Sequence, residues 1–483
     1  MKKAVLHKHL PHPNVGVSHD SNHRIIVFYT LFLSFALLIA SVVAFFSTHE
    51  ENFLQDLARI LTSPSKLVTD YFALGGLAAT FFNAAICGLA CNIIIRISKV
   101  NANATTFAGY MLVIAHCFYG LNFLNMWPSF FGVVMYCLIR KKTFSEHVHI
   151  SFFATALAPF ISEFLFRYTL SDNFSAENPQ ITVLGVCLAL IFGLASGFVV
   201  PALLPGTTNM HRGFNLFKAG LAIGILGIFL NAFLFQSLGL EQTEALKIYN
   251  PEYYALPYGY REFVSIFFLS LFVLTLLLGF FLNGRTFKGY KALYKSTGYG
   301  VDFLDKFKMP LCLINIGIYG LLILAYLNIV FVLPEIFPAL PNGVGFTGAT
   351  TGVVFAALTF AADGQQPRTV FPIVIGYALL FVIVCIVCSI SNRVIPWTLS
   401  TQAYINGLAF ATGLCTFSGK YGFRVGVLAG FLSAVICTST ATMHGGFVLY
   451  NGGFTAGLTA LVLLPILDFY NVKPRFDSDE FHN

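Results

Sequence analysis

The sequence predicts an all-α, polytopic integral membrane protein with about 12 to 14 transmembrane helices in two inverted-topology repeats. Three observations predict it. Of 483 residues, 57% are hydrophobic and 10% charged, with a mean hydropathy of +0.77, which would leave a soluble globule too little polar surface. The cations gather in alternate loops between apolar runs, the pattern of a chain threaded through a bilayer. A motif around His211 returns around His444, 233 residues later, which marks an internal duplication.

Residues 1–24 carry Lys2, Lys3, Lys8 and five histidines, but no apolar stretch ending in a small-residue cleavage site. They are therefore expected as a cytoplasmic tail rather than a signal peptide. His7, His9 and His12 suit a solvated basic tail, and no metal or cofactor is expected. Apolar runs follow near 25–47, 72–98, 105–124, 126–140, 148–167, 181–204 and 216–238, and residues 25–240 form a first membrane repeat. Between the first two runs, Phe53, Leu54, Leu57, Ile60 and Leu61 recur at helical spacing among Glu51, Gln55, Asp56 and Arg59, as in a helix lying along an interface. Residues 241–262 make a polar, Tyr-rich linker. Further runs near 263–283, 309–332, 344–362, 369–391, 398–417, 422–441 and 451–470 place a second repeat at 263–470, ahead of a second cytoplasmic tail at 471–483. Most of the ten cysteines lie inside these runs, where a thiol packs as a small hydrophobe.

The basic loops fix the threading. Arg96 with Lys99, Arg140 to Lys142, Arg212 with Lys218, Arg285 to Lys308, Arg368, and Lys420 with Arg424 all fall on the side assigned to the cytoplasm. The net charge of +7 has this topogenic origin, and no nucleic-acid partner is expected. Seven runs per half is an odd number, so the second copy enters the membrane from the opposite side. The expected setting is the cell membrane with both termini cytoplasmic. The lipid bilayer and a small polar solute are the partners, and a homo-oligomer is compatible with the sequence.

Met210, His211, Gly213, Phe214, Leu216, Gly220 and Gly224 correspond to Met443, His444, Gly446, Phe447, Leu449, Gly453 and Gly457. Upstream, Gly193, Gly197 and Phe198 correspond to Gly426, Gly430 and Phe431. Looser pairings set Trp127, Pro128 and Gly132 against Phe371, Pro372 and Gly376, and Phe82, Ala85 and Gly88 against Phe346, Ala349 and Gly352. Inverted halves place a pathway near their pseudo-twofold axis, flanked by broken helices. Thr208, Asn209, His211 and Gly213 in one copy, and Thr442, His444, Gly445, Gly446 and Asn451 in the other, are the candidate pathway residues. Glycine lets the backbone leave the helix and present amides and carbonyls to a solute. A neutral imidazole both donates and accepts, and it titrates near neutrality. The same histidines would serve equally to fasten an inter-helix loop. The four-residue spacing of Gly220 with Gly224, and of Gly453 with Gly457, suits close helix approach. Glu163 is the one carboxylate well inside a run, a scarcity that favours a facilitator or channel over an ion-coupled pump.

Gly343 to Gly348 fits a dinucleotide-loop pattern without the strand and acidic partner that loop needs. Ser196 resembles a membrane-protease nucleophile, but its duplicated position holds Ala429. A different resemblance rests on Ser63 to Phe72 with Gly75-Gly76, on Asn125 to Pro128, and on Met443 to Phe447 with Tyr450 to Gly453. Together these are similar to a bacterial family of duplicated multi-pass proteins known only as a domain of unknown function. The resemblance covers about Ile25 to Tyr470; it implies a membrane location and duplicated halves, and no activity. The expected function is a transporter or channel for a small polar solute and not an enzyme. A membrane-embedded enzyme using His444 with Thr442, or a structural or sensory protein without a pathway, stand as alternatives.

Overall fold

The periodicities resolve into helices whose order is the same in both halves. The computed structural model describes residues 16–48, 52–167, 180–241, 250–251 and 260–476. The first copy comprises α1 (Gly16–Ser47), α2 (Phe53–Thr62), α3 (Tyr71–Ile97), α4 (Ala104–His116), α5 (Trp127–Ile139), α6 (Val148–Ala154), α7 (Ala158–Arg167), α8 (Val183–Met210) and α9 (Lys218–Asn231). The second comprises α10 (Arg261–Leu282), α11 (Tyr290–Lys295), α12 (Phe303–Ile336), α13 (Gly348–Leu358), α14 (Pro367–Ile390), α15 (Gln402–Ala411), α16 (Cys415–Tyr421), α17 (Phe423–Ile436), α18 (Thr440–Met443) and α19 (Asn451–Phe469). The helix predicted around Phe53 to Leu61 is α2, with Ile60 buried and Leu54 exposed. α1 begins at Gly16, inside the segment expected as a tail. His7, His9 and His12, most of the linker and the last seven residues lie outside the described residues.

Among the described residues, nine helical stretches are long and apolar enough to cross a membrane, fewer than the 12 to 14 expected. α4, α5, α13 and α17 are too short: at 1.5 Å per residue they reach only about 16–21 Å of a core ~30 Å thick. For α4 and α13 the cause is polar side chains that outcompete the helix for its own backbone. After His116, the Asn122 side-chain oxygen accepts the N–H groups of Leu124 and Asn125, each at 3.0 Å, while that of Asn125 accepts the Asn122 N–H at 2.8 Å. In the second copy the Gln365 side-chain oxygen accepts the Phe360 N–H at 3.2 Å. One asparagine holds each break from the preceding long helix. Asn83 Nδ2 donates to the carbonyls of Cys117 (2.9 Å) and Leu121 (3.0 Å), and Asn315 Nδ2 to those of Ala361 (2.9 Å) and Gln365 (2.8 Å).

This match aligns α3 with α12 and α4 with α13. The loose pairing of Phe82, Ala85 and Gly88 with Phe346, Ala349 and Gly352 is thereby corrected, since it set a long helix against a short one. The pairing through Pro128 and Pro372 holds, because both copies pack alike there. Gly193 lies on Pro128 and Gly132 on Gly197; Gly426 lies on Pro372 and Gly376 on Gly430.

Equivalent helices of the two copies also meet each other. A side chain on Gly220 would strike the backbone of Gly453, Gly224 lies under Phe454, and Gly457 lies under Leu221. Gly227 then meets Val448 and the Cβ of His444. As α9 rises, its partners fall, so it crosses α19 antiparallel, with the close approach that small residues allow. α4 and α13 do the same: Gly348 lies on the Phe118 carbonyl and Gly352 on that of Ala115. Buried Asp70 ties these ends together, its Oδ1 accepting the N–H groups of Phe72 (3.0 Å) and Gly348 (2.7 Å).

Candidate functional site

Each His motif ends one helix and begins a non-helical passage. After Met210 and Met443 come His211 and His444, then two residues of left-handed backbone: Arg212 (φ 50°) and Gly213 (φ 76°), or Gly445 (φ 65°) and Gly446 (φ 80°). Glycine takes that geometry freely, whereas an L side chain pays about 1–2 kcal/mol. The first copy tolerates Arg212 there and sets its guanidinium 2.8 Å from exposed Asp468.

The passages then cross into the other copy. Spans α6–α7 and α15–α16 are each interrupted by a 3-10 turn, at Thr155–Leu157 and Thr412–Leu414. The Leu216 N–H donates to the Gly413 carbonyl (3.1 Å), and the Leu449 N–H to that of Ala156 (3.0 Å). Each half thus inserts its unwound segment into the broken span of the other, and each segment leads into a helix, α9 from exposed Lys218 or α19 from half-buried Asn451.

Both histidines are fully buried and fasten these segments. His211 Nδ1 accepts the Asn215 N–H at 3.4 Å. His444 Nε2 lies 3.0 Å from Asn451 Oδ1; an amide oxygen only accepts, so the ring donates. The remaining ring nitrogens, His211 Nε2 and His444 Nδ1, are buried without a hydrogen-bond partner.

Next to the second motif lies a cavity of about 350 Å³. Thr442, Gly445, Gly446 and Asn451 line it, together with Lys66, Tyr119, Asn250, Asn406, Phe410, Thr438, Leu449, Gly452 and Thr455. Four of the candidate residues therefore converge on one polar space, and His444 stands behind Asn451 rather than in the wall. Lys66 is held over the Phe447 ring, 5.2 Å from its centroid, and the neighbouring Leu67 N–H donates to the Gly446 carbonyl at 2.8 Å. The first motif does not converge in this way. Asn209 is exposed, Thr208 and Gly213 are half-buried, and none of the three lines the large cavity.

A second cavity, of about 30 Å³, is lined by Leu216, Phe217, Lys218, Ala219, Gly220, Phe153, Phe360, Asp363 and Tyr450. Five positions of its wall have their equivalents in the wall of the first. Leu216, Lys218 and Ala219 stand where Leu449, Asn451 and Gly452 stand. Phe153 and Phe410 each precede the 3-10 threonine by two residues, and Asp363 and Tyr119 each precede the second carbonyl of the asparagine clamp by two. Aromatic rings fill the space between the cavities. Tyr450 lies 5.0 Å from His116 and 6.4 Å from Phe153, and Phe217 lies 5.0 Å from Phe410 and 4.7 Å from Phe360.

Sequence reasoning missed Lys66, Tyr119, Asn406, Thr438 and Thr455, which come from other elements than the His motif. Lys66 stood in the Ser63 to Phe72 stretch that carried the family resemblance, where its contact with Gly446 was invisible. The alternative enzyme pairing of His444 with Thr442 is not formed: Thr442 Oγ1 donates to the Ser439 carbonyl at 2.6 Å.

Fold and site together define an all-helical, duplicated protein with a polar cavity where the two copies interlock. The chain belongs to the family described as "protein of unknown function (DUF1576)", whose model matches it twice, over residues 49–236 and 282–469. The two matches begin and end 233 residues apart, the shift of the His motif, and α1 and α10 each stand ahead of one match. No curated protein and no solved structure matches the chain.

Proposed function

We propose that the protein is a multi-pass membrane transporter or channel for a small polar solute, built from two inverted repeats, with its pathway running through the two equivalent cavities. The observation that carries this reading is the pair of cavities. Five positions of one lining have their equivalents in the other, a septum of touching aromatic rings runs from one lining to the other, and one cavity has over ten times the volume of the other. An inequality of this kind suits a pathway open on one side and closed on the other.

The antiparallel packing of α9 on α19 and of α4 on α13 supports inversion, since a twofold axis in the membrane plane relates antiparallel equivalents. The alternation of basic loops supports the cell membrane with both termini cytoplasmic. Unwound segments bonded into the broken spans of the other copy are the usual setting of a solute site in such folds, because irregular backbone at depth must be shielded from lipid. The engagement of His444 with Asn451 rather than a hydroxyl favours a solute site over a nucleophilic enzyme.

Uptake of radiolabelled small polar solutes into liposomes, with and without the purified protein, tests the reading. Flux above protein-free liposomes is expected for at least one solute and is expected to fall in Thr442→Trp, which plugs the large cavity. No flux for any solute would sink transport, and undiminished flux in Thr442→Trp would remove this cavity from the pathway.

A further inference from the structure

We propose that the second copy binds an anionic phospholipid, with one acyl chain in a slot among α12, α13, α14 and α15 and the headgroup at a basic rim formed by α11 and the start of α14. The inference rests on the membrane part of the reading above and adds a ligand that transport does not require.

The slot is a cavity of about 340 Å³. α12 lines it from Tyr319 to Ile329 and α14 from Pro367 to Val374, Val354 and Ala409 close its back, and no charged residue takes part. Its flanking residues Leu322, Ile329 and Phe371 are each more than half exposed, so it opens sideways between two spans, toward hydrocarbon rather than water. From Tyr319 to Ile329 the helix rises about 15 Å, half of the ~30 Å hydrocarbon core and thus the depth of one leaflet. An acyl chain has that reach and that chemistry.

The first copy fills the same place from within. There Phe152 lies on Gly109 and meets Phe130, ring centroids 6.3 Å apart, and both rings are buried. In the register set by the asparagine clamps, the prolines and the 3-10 turns, Gly109, Phe130 and Phe152 correspond to Val353, Val374 and Ala409. Two rings are lost and Val353 returns only part of their volume. Walls without partner atoms forfeit their dispersion contacts, and a chain entering from the bilayer restores them.

The rim supplies the headgroup's complement. Arg368 follows Pro367 and donates to the Lys295 carbonyl at 2.7 Å, which seats α11 beside the mouth of the slot. Residues 283–301 hold Arg285, Lys288, Lys291 and Lys295 and no acid. All four cations are exposed, and none forms an ion pair among the described residues. Lys291 shares a shallow hollow with Phe287, Tyr290 and Tyr294. Aromatic rings beside cations mark the headgroup layer, and a basic site over a gap between spans selects an anionic headgroup. The short helix in the equivalent place of the first copy, α2, instead pairs Arg59 with Asp56 at 3.0 Å. A filled slot goes with a neutralised helix, and an open slot with a basic one.

Native mass spectrometry of the full chain in detergent, titrated with phosphatidylglycerol and phosphatidylcholine of the same acyl chains, tests the proposal. Phosphatidylglycerol is expected to bind about tenfold more tightly. Ala409→Phe, which restores the first copy's ring, is expected to weaken it by about tenfold. Lys291→Gln combined with Lys295→Gln is expected to bring the two lipids within about threefold of each other. Should Ala409→Phe fail to fold, Val374→Phe at the half-buried edge of the slot takes its place. Equal binding of the two lipids by the wild type, unchanged phosphatidylglycerol affinity in the slot variant, or a preference that survives loss of both lysines would each overturn the assignment. A chain that stays dispersed without detergent overturns the membrane reading and this inference with it. Solute flux without the lipid preference overturns this inference alone, and the lipid preference without flux leaves it standing while transport falls.

Discussion

Gly220 lies directly against Gly453, the residue that holds its own position in the other copy, with no side chain between the two backbones. Everything at the interface of the halves is built outward from this crossing: the unwound segments lead into it, the septum rings surround it, and the cavities flank it. Gly220→Val therefore forces two helices apart where neither can yield, and the expected loss is about 1–3 kcal/mol. Gly206, in α8 with no neighbouring atom within 4 Å of where a side chain would begin, is the control, and Gly206→Ala should be neutral or stabilising. Thermal unfolding in detergent measures both; a Gly220→Val protein that melts with the wild type contradicts the crossing.

The two asparagine clamps should differ in strength although they occupy equivalent positions. Asn83 Oδ1 also accepts the Phe123 N–H at 3.2 Å, whereas Asn315 Oδ1 is buried without a partner. Replacing either by Leu strands two carbonyls, at about 1–3 kcal/mol, and Asn83→Leu strands a further N–H. Asn83→Leu is thus expected to melt lower than Asn315→Leu in parallel scans, and the reverse order would refute this account of the break.

Much of this arrangement was legible in the sequence, because hydropathy and the shifted motif are both local signals. The apolar runs found the helices, and the glycines of the repeat marked the close approach of α9 and α19. Where each helix stops was less legible. The run at 105–124 is apolar past His116, but Asn122 and Asn125 bond to each other's backbone, a choice that hydropathy does not register. The candidate site divided for a similar reason. Thr442, Gly445, Gly446 and Asn451 share a cavity, while their first-copy counterparts do not, since one copy's motif faces an open space and the other a nearly closed one. Lys66 and Tyr119 entered only through the fold.

The septum offers a direct assay of the pathway. Phe217 packs edge-on to Phe360 and tilts against Phe410, and Tyr450 closes the same layer against His116. Truncating Phe217 to Ala removes a ring of roughly 150–250 Å² of buried surface from between the cavities. Phe217→Ala is expected to raise the passive leak of small neutral solutes through liposomes while the protein stays folded by circular dichroism. A folded variant with wild-type leak would mean that the two cavities do not lie on one path.

The inverted reading makes a prediction at Thr208 and Thr442, which lie at the ends of α8 and α18, one residue apart in the register of the repeat. Thr208 is half-buried and Thr442 exposed, so a cysteine at either can be reached without unfolding the chain. Exposed Cys187 must first be replaced by Ser to clear the background. With halves related by an axis in the membrane plane, Thr208→Cys lies on the side of Arg212 and its partner Asp468, and Thr442→Cys lies opposite. In intact cells an impermeant maleimide should therefore label the Thr442→Cys variant alone, and the Thr208→Cys variant should react only once the membrane is opened. A parallel duplication, with its axis along the membrane normal, would place both on one side. Labelling of both variants in intact cells, or of neither, would rule out inversion while leaving the duplication and the cavity in place.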